Sequence, residues 1–229
     1  MPGNKYAANT EEAILLDYFA STPSGFFVEV GAYHPFDLSV SWPFERIGWK
    51  GLLVEPIPEY AEQLRQNRSA TVVECACASP AAPNTAILTF DGGFSSMTDG
   101  RKHKSEAMST ETITVKCRTL DSVFKENNVK KINLLSIDVE GFEYDVLQGL
   151  SLNTYTPDLI FLEDHMHYLH SHSYLTNNGY KLVRRTGVNN WYIPNNFDFD
   201  ISIFEQLYFF KKTNITPIKN AIKRFFKFV

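Results

Sequence analysis

Gly25-Phe26-Phe27-Val28-Glu29-Val30-Gly31-Ala32-Tyr33-His34-Pro35 is the stretch on which the reading of the fold turns. Four of the five residues from Phe26 to Val30 are apolar, a short run that suits a strand buried on both faces. It stops at Gly31-Ala32, two residues small enough for the backbone to turn tightly and approach a ligand closely. Glu29 interrupts the run one residue before its end, and a buried carboxylate is expensive unless something pairs with it. In an open α/β sheet, ligands sit at the carboxyl ends of strands, where the strand order reverses. The expectation is a first strand whose tip holds a cofactor, with Glu29 facing the cofactor's polar groups.

Working outward, residues 10–19 open with Thr10 and two acids, and their apolar positions then recur at helical spacing, which predicts a helix over one sheet face. Residues 34–48 read as irregular, broken by Pro35 and Pro43. Residues 49–56 form a second apolar run ending in Glu55. Residues 58–68 start with Pro-Glu, as helices often do, and residues 71–78 read as a third strand. Strands alternating with helices imply a parallel sheet. Residues 85–90 and 111–117 have β-propensity and are expected to pair across a long polar loop. A short helix is expected at 120–127 and a fourth core strand at 131–138, ending in Asp138. Val139-Glu140-Gly141 turns into a helix at 142–150, and 157–163 is a fifth strand followed by Asp164-His165-Met166-His167. A helix at 168–177 and an antiparallel pair, 180–185 with 190–194, close the body.

The 229 residues, 44% hydrophobic and 21% charged, fit one α/β domain with additions. A net charge of −4 gives no general reason to expect nucleic acid as a partner. No uninterrupted apolar stretch approaches the ~20 residues that span a bilayer, and Met1 to Lys5 lack the apolar core of a signal peptide. Cys75, Cys77 and Cys117 make an odd count without a CxxC pair, so buried thiols are expected in a reduced, cytoplasmic setting.

Three strands end in acids: Glu29, Glu55 and Asp138. A carboxylate at the end of the second strand can accept hydrogen bonds from both hydroxyls of an adenosine ribose. GxGxxG and GxxxxGK[ST] are both absent, which argues against a pyrophosphate or triphosphate cradle. One glycine with acids on neighbouring strand tips fits an adenosine ligand without a pyrophosphate, and S-adenosylmethionine has a sulfonium and an amino group that favour acidic surroundings.

With these residues in view, the sequence resembles the FkbM family of S-adenosylmethionine-dependent methyltransferases. The pieces that carry the likeness are the opening stretch, then Gly48-Trp49-Lys50-Gly51-Leu52-Leu53-Val54-Glu55-Pro56, Arg118-Thr119-Leu120-Asp121 and Leu135-Ser136-Ile137-Asp138-Val139-Glu140-Gly141-Phe142-Glu143. They occur in the family's order across residues 25–164. The resemblance implies a class I methyltransferase fold: an α/β, Rossmann-like, mostly parallel seven-stranded sheet in order 3-2-1-4-5-7-6, with helices on both faces and the last strand antiparallel. It also implies that Glu29, Gly31 and Ala32 contact the methionine part, that Glu55 holds the ribose, that Ala78-Ser79 lies beside adenine, and that Ser95-Ser96 lies near the site. Two departures are visible. His34-Pro35 stand where many class I enzymes carry a second glycine, and residues 36–42 follow the family's Ser-Asn-Thr only loosely.

Methylating a hydroxyl needs a base or an acidifying metal, because an alcohol's pKa is high. Asp138 and Glu140 flank the fourth strand tip, and His165 and His167 follow the fifth. His165 is assigned as base, with Asp138 orienting the acceptor and Glu140 assisting; Asp138 also borders the cofactor. A carboxylate-rich Mg²⁺ or Mn²⁺ site at these tips is left open, and His170 and His172 are read as solvated. The activity implied by the family is O-methylation, of a sugar hydroxyl in a glycan or glycolipid precursor. The alternatives are a secondary-metabolite hydroxyl or a catalytically silent binding module.

Residues 1–210 read as the methyltransferase domain, without internal repeat, and 211–229 as a separate tail. The tail carries Lys211, Lys212, Lys219, Lys223, Arg224 and Lys227 and no acid, leaving −10 on the remainder. Its apolar residues recur at helical spacing. Two readings stand: a basic amphipathic helix lying on an anionic membrane or docking a partner, or a terminal helix packed on its own domain.

Overall fold

The structure is a computed structural model that describes residues 11–91, 94–97, 111–164 and 169–216, with the side chains of 89–91, 94–97 and 111 excepted. In chain order its main elements are α1 (Glu11–Tyr18), β1 (Phe26–Val30), α2 (Trp42–Arg46), β2 (Lys50–Val54), α3 (Pro58–Asn67), β3 (Thr71–Val73), β4 (Ala76–Cys77), β5 (Thr85–Asp91), β6 (Phe94–Met97), β7 (Glu111–Arg118) and α4 (Leu120–Glu126). There follow β8 (Leu134–Ile137), α5 (Glu143–Gln148), β9 (Leu159–Glu163), α6 (His170–Asn177), β10 (Tyr180–Thr186), β11 (Asn189–Pro194) and α7 (Ile203–Phe210).

Among the described residues, seven strands form one sheet in the order β10-β11-β9-β8-β1-β2-β3. Numbered by appearance within that sheet, this is 3-2-1-4-5-7-6, the expected order. The ladders joining β3, β2, β1, β8 and β9 are parallel, and β11 runs antiparallel to both neighbours. The chain builds outward from β1 to β2 and β3, then returns to β1's other side with β8. That reversal opens a crevice beyond the tips of β1 and β8.

Side chains alternate across the sheet with the period of two that a strand imposes. Val28, Val30, Leu52 and Val54 face a core completed by Leu120, Val123 and Phe124 of α4, Val146 and Leu147 of α5, and Leu175 of α6. Phe27, Leu53, Leu134 and Leu159 face the other, completed by Leu15, Phe44 and Leu64 from α1, α2 and α3. Burial of both faces explains why the central strands read as nearly continuous apolar runs.

Three expectations need correction. Residues 71–78 are two strands: β3 edges the main sheet, whereas β4 pairs in parallel with β7 in a four-stranded sheet of order β4-β7-β5-β6. Cys75 lies at the break and is buried there. Within 34–48, Pro43 does not break structure; it occupies the first turn of α2, where its missing N–H costs nothing. His172 is half-buried, its Nδ1 3.1 Å from the Tyr192 hydroxyl, and burial lowers its pKa. The expected β5–β7 pairing is present and antiparallel, with β6 added on β5's other side.

Candidate active site

The crevice beyond β1 and β8 holds a cavity of about 300 Å³. Its walls include Gly31 and Ala32 after β1, Glu55 after β2, the Cys75–Cys77 segment, and Asp138 and Glu140 after β8. Gly31 has φ +84, and a Cβ there would lie 1.8 Å from the Asp138 carbonyl oxygen. Only glycine lets the two strand tips approach this closely.

Glu55 is the cavity's most telling group. Its side chain is 3% exposed, and its oxygens accept backbone N–H groups from Tyr33 and Ile57, each at 2.9 Å. Burial pushes its pKa up to about 7, against these two hydrogen bonds. Each oxygen keeps a further lone pair, so a ligand diol that donates to both would relieve an under-solvated carboxylate. That is a fit to the ribose of S-adenosylmethionine. Tyr33, beside it at φ +47, packs edge-on against Tyr60 with ring centroids 4.7 Å apart, and both rings line the cavity.

Glu29 has a different place from the one expected. It shares strand parity with Phe27, so it points to the α1–α3 side, away from Val30 and the cavity wall. Its oxygens accept from the Ser39 hydroxyl at 2.8 Å, the Ser41 hydroxyl at 2.5 Å and the Val40 N–H at 2.8 Å. Arg68, fully buried in its side chain and ion-paired with Glu45 at 2.7 Å, donates to both serines. Glu29 thus ties down the loop that carries Asp37 and Leu38 into the cavity wall. Ala78 and Ser79 are likewise absent from that wall, which is formed two residues earlier by Cys75, Ala76 and Cys77. All three cysteines are free thiols, Cys75 and Cys77 buried as expected and Cys117 only half-buried.

At the acceptor side, Asp138 is hydrogen-bonded to Glu163 at the end of β9. Asp138 is exposed as a residue, yet desolvation of its carboxyl, followed by the proximity of Glu163, pushes its pKa up to about 7. Desolvation also raises Glu163. The hydrogen bond between them raises Asp138 and lowers Glu163, so it favours the proton on Asp138. Glu143, buried at the start of α5, uses one oxygen to accept N–H groups from Val139 and Gly141, which fixes the turn through Glu140 (φ +54) and Gly141 (φ +100). Asp138, Glu143 and Glu163 each bring one oxygen within 4.8 Å of the others. Glu140 is exposed on the cavity rim. His165 and His167 lie outside the described residues, as do the side chains of Ser95 and Ser96.

A second, wider cleft of about 640 Å³ adjoins the first through Leu38, which lines both. Its polar lining includes Glu11, Glu12, Ser39 and Asn189. Asn189 donates to both oxygens of Glu11, at 3.1 and 3.0 Å, and stands opposite Glu163 in the β9–β11 ladder. The charge of Glu11 also contributes to raising Asp138. The two cavities meet at Leu38, and Asp138 lines the narrower one.

Of the residues expected at the site, Gly31, Ala32, Glu55, Asp138 and Glu140 line the narrower cavity. Sequence reasoning missed Arg68, Tyr33, Tyr60 and the role of Glu163, and it missed the wider cleft. For Glu29 a signal existed in the two-residue period. For Arg68, which caps α3, none did.

The sequence matches the family described as Methyltransferase FkbM domain over residues 29–182, a span that runs from β1 into β10. Among solved structures, the precorrin-6Y C5,15-methyltransferase of Geobacter metallireducens GS-15 is similar at 13% identity and TM-score 0.44, over 84% of this chain and 91% of that one. No curated protein matches the chain. Since the family match covers most of the sequence and contains every strand tip that lines the narrower cavity, the chain belongs to the FkbM family of S-adenosylmethionine-dependent methyltransferases.

Proposed function

We propose that this protein methylates a hydroxyl of a polyhydroxylated acceptor, a sugar of a glycan or glycolipid precursor. The narrower cavity takes the cofactor and the wider cleft takes the acceptor. The observation that carries the reading is Asp138 on the wall of the narrower cavity, its carboxyl hydrogen-bonded to Glu163 at the end of the neighbouring strand. When bound, S-adenosylmethionine supplies an electrophilic methyl group. Glu55 accepts from the ribose hydroxyls, while Gly31 and Ala32 let the backbone approach the rest of the ligand. Asp138 takes the acceptor's hydroxyl proton; a carboxyl with its pKa raised to about 7 is a far better base at neutral pH than an ordinary one. Glu163 keeps that proton in a hydrogen bond, and Glu140 assists from the rim.

The described residues lining the wider cleft include no Lys, Arg or His, which favours a neutral, hydroxyl-rich acceptor over a phosphorylated or carboxylated one. Ile14 and Val40 in the same lining leave room for the second reading, an apolar secondary-metabolite hydroxyl. The test is methyl transfer from labelled cofactor to neutral glycosides and to phenolic or polyketide alcohols, in parallel with calorimetry of cofactor binding. Transfer to glycosides alone supports the proposal, and transfer to the apolar alcohols alone replaces it. Cofactor binding without transfer to any acceptor would make the protein a silent binding module.

A further inference from the structure

We infer that α7 is a membrane-contacting helix that holds the protein on an anionic lipid surface. α7 begins at a complete capping box, with Ser202 accepting from the Glu205 N–H and Glu205 reaching back to the Ser202 N–H. The helical segment therefore starts eight residues before the basic tail and brings its own apolar face. One side of α7 is anchored: Phe209 packs against the core, and Glu205 lies 3.9 Å from Arg184 of β10. The opposite side is bare. Phe204 is 80% exposed and Leu207 60%, with Ile203, Tyr208 and Phe210 exposed beside them. Within the described residues the helical path continues as a π-turn, Lys211–Ile215, and Ile215 extends the bare face. A run of large apolar side chains left in water on one helix face marks a contact surface.

Charge selects the occupant. From Gln206 to Val229 the chain has six cations and no acid. Lys211 is exposed, and Lys212 stands 5.8 Å from the Tyr208 ring centre. A second copy of the chain would bring the same cations face to face, which opposes a dimer through this side. An anionic bilayer offers apolar chains to Phe204, Leu207 and Phe210 and negative headgroups to the lysines. No helix among the described residues is long and apolar enough to cross a membrane, so the helix would lie in the interface plane. Arg184, which anchors α7, is two residues from Thr186 in the lining of the wider cleft, so the contact would hold that cleft near the lipid surface.

The test is flotation of the full chain with vesicles of phosphatidylcholine alone or with about 30% phosphatidylglycerol. The inference expects binding to the anionic vesicles only, and its loss on raising salt from about 0.05 to about 0.5 M, which shortens the screening length roughly threefold. Phe204→Glu with Leu207→Glu should weaken binding at least about tenfold, because it removes the apolar contact. Lys211→Glu with Lys212→Glu should do the same through charge, and circular dichroism should show both variants folded, since none of the four side chains is buried. Failure of the wild type to float, or equal flotation of wild type and both variants, overturns the inference. So does a dimer in sedimentation velocity that the Phe204/Leu207 variant abolishes while the wild type ignores lipid.

Discussion

Arg68 and Glu29 are joined through two serines: Ser39 and Ser41 each give a hydroxyl to Glu29 and each receive an N–H from Arg68. The link spans α3's end, the 34–41 loop and β1, and a further arm runs from Arg68 to Glu45 in α2. Both termini of the link are fully or nearly fully buried. Removing Arg68 leaves Glu45 without its ion-pair partner and both serines without a donor, and breaking a buried pair typically costs ~3–5 kcal/mol. Arg68→Met should therefore lower unfolding free energy by about 3 kcal/mol in urea titration and loosen the loop that carries Leu38. An unchanged denaturation midpoint would show that the network is incidental.

Glu55 makes a pH prediction with a definite sign. Its pKa rises from 4.5 to about 7 on folding, so the folded protein without ligand binds more protons than the unfolded chain between those values. Its share of stability is complete at low pH and is lost as pH rises through about 7, amounting to ~3 kcal/mol at most. Glu55→Gln removes that loss, and the variant should be the more stable of the two at pH 8, by thermal melting without cofactor. Hydroxyl donors from the ribose favour the ionised carboxylate, so cofactor binding at pH 6 should release a proton, visible as buffer-dependent enthalpy in calorimetry. Glu55→Ala should weaken cofactor binding by at least ~1.5 kcal/mol.

Turnover should report on Asp138. With cofactor saturating, Glu55 is held ionised, and kcat should rise with pH through about 7 as Asp138 loses its proton. Asp138→Asn should lower kcat by ~10²-fold or more and flatten that rise. His165→Ala provides the comparison, because His165 follows Glu163 by two residues. A larger loss from the histidine variant than from Asp138→Asn would move the base to His165. Chelator treatment should leave the rate unchanged; loss of activity restored by Mg²⁺ or Mn²⁺ would convert the three-carboxylate cluster into a metal site.

The topology was legible because both sheet faces are buried: β1, β2, β8 and β9 are apolar runs that few other folds would produce at this spacing. The strand-tip carboxylates Glu55 and Asp138 were legible for the same reason, as acids at the ends of such runs. Other features depend on contacts that no local pattern encodes. Arg68 and Ser41 lie 27 positions apart, and Arg68 looks like any helix-terminal arginine until α2 and the 34–41 loop close over it. The split of 71–78 follows from β7, which reaches β4 only after the β5–β6 insertion. Glu163 could be read as a strand-end acid, but its pairing with Asp138 depends on β8 and β9 being neighbours. α7 was obscured by a tail reading that began at the first lysines, although Ser202 and Glu205 stand at capping-box spacing.

Leu38 offers the sharpest separation between the two cavities. It has φ +63, a conformation that costs a non-glycine residue roughly 1–2 kcal/mol, and its side chain is 88% exposed. Neither packing nor backbone preference explains a leucine there, and a strained residue on a cavity wall is a functional candidate. It is the residue common to both cavities. Leu38→Gly relieves the strain but frees the unfolded chain by ~0.4–1 kcal/mol, so net stability should change by less than about 1 kcal/mol. Function should change more. Without the side chain the partition between cofactor and acceptor is lost, so acceptor KM should rise several-fold while cofactor affinity shifts little, because Glu55 and the Gly31 turn are untouched. Calorimetry and steady-state kinetics on the same preparation decide it. If cofactor affinity falls and acceptor KM holds, Leu38 belongs to the cofactor cavity alone, and the wider cleft loses its link to the chemistry.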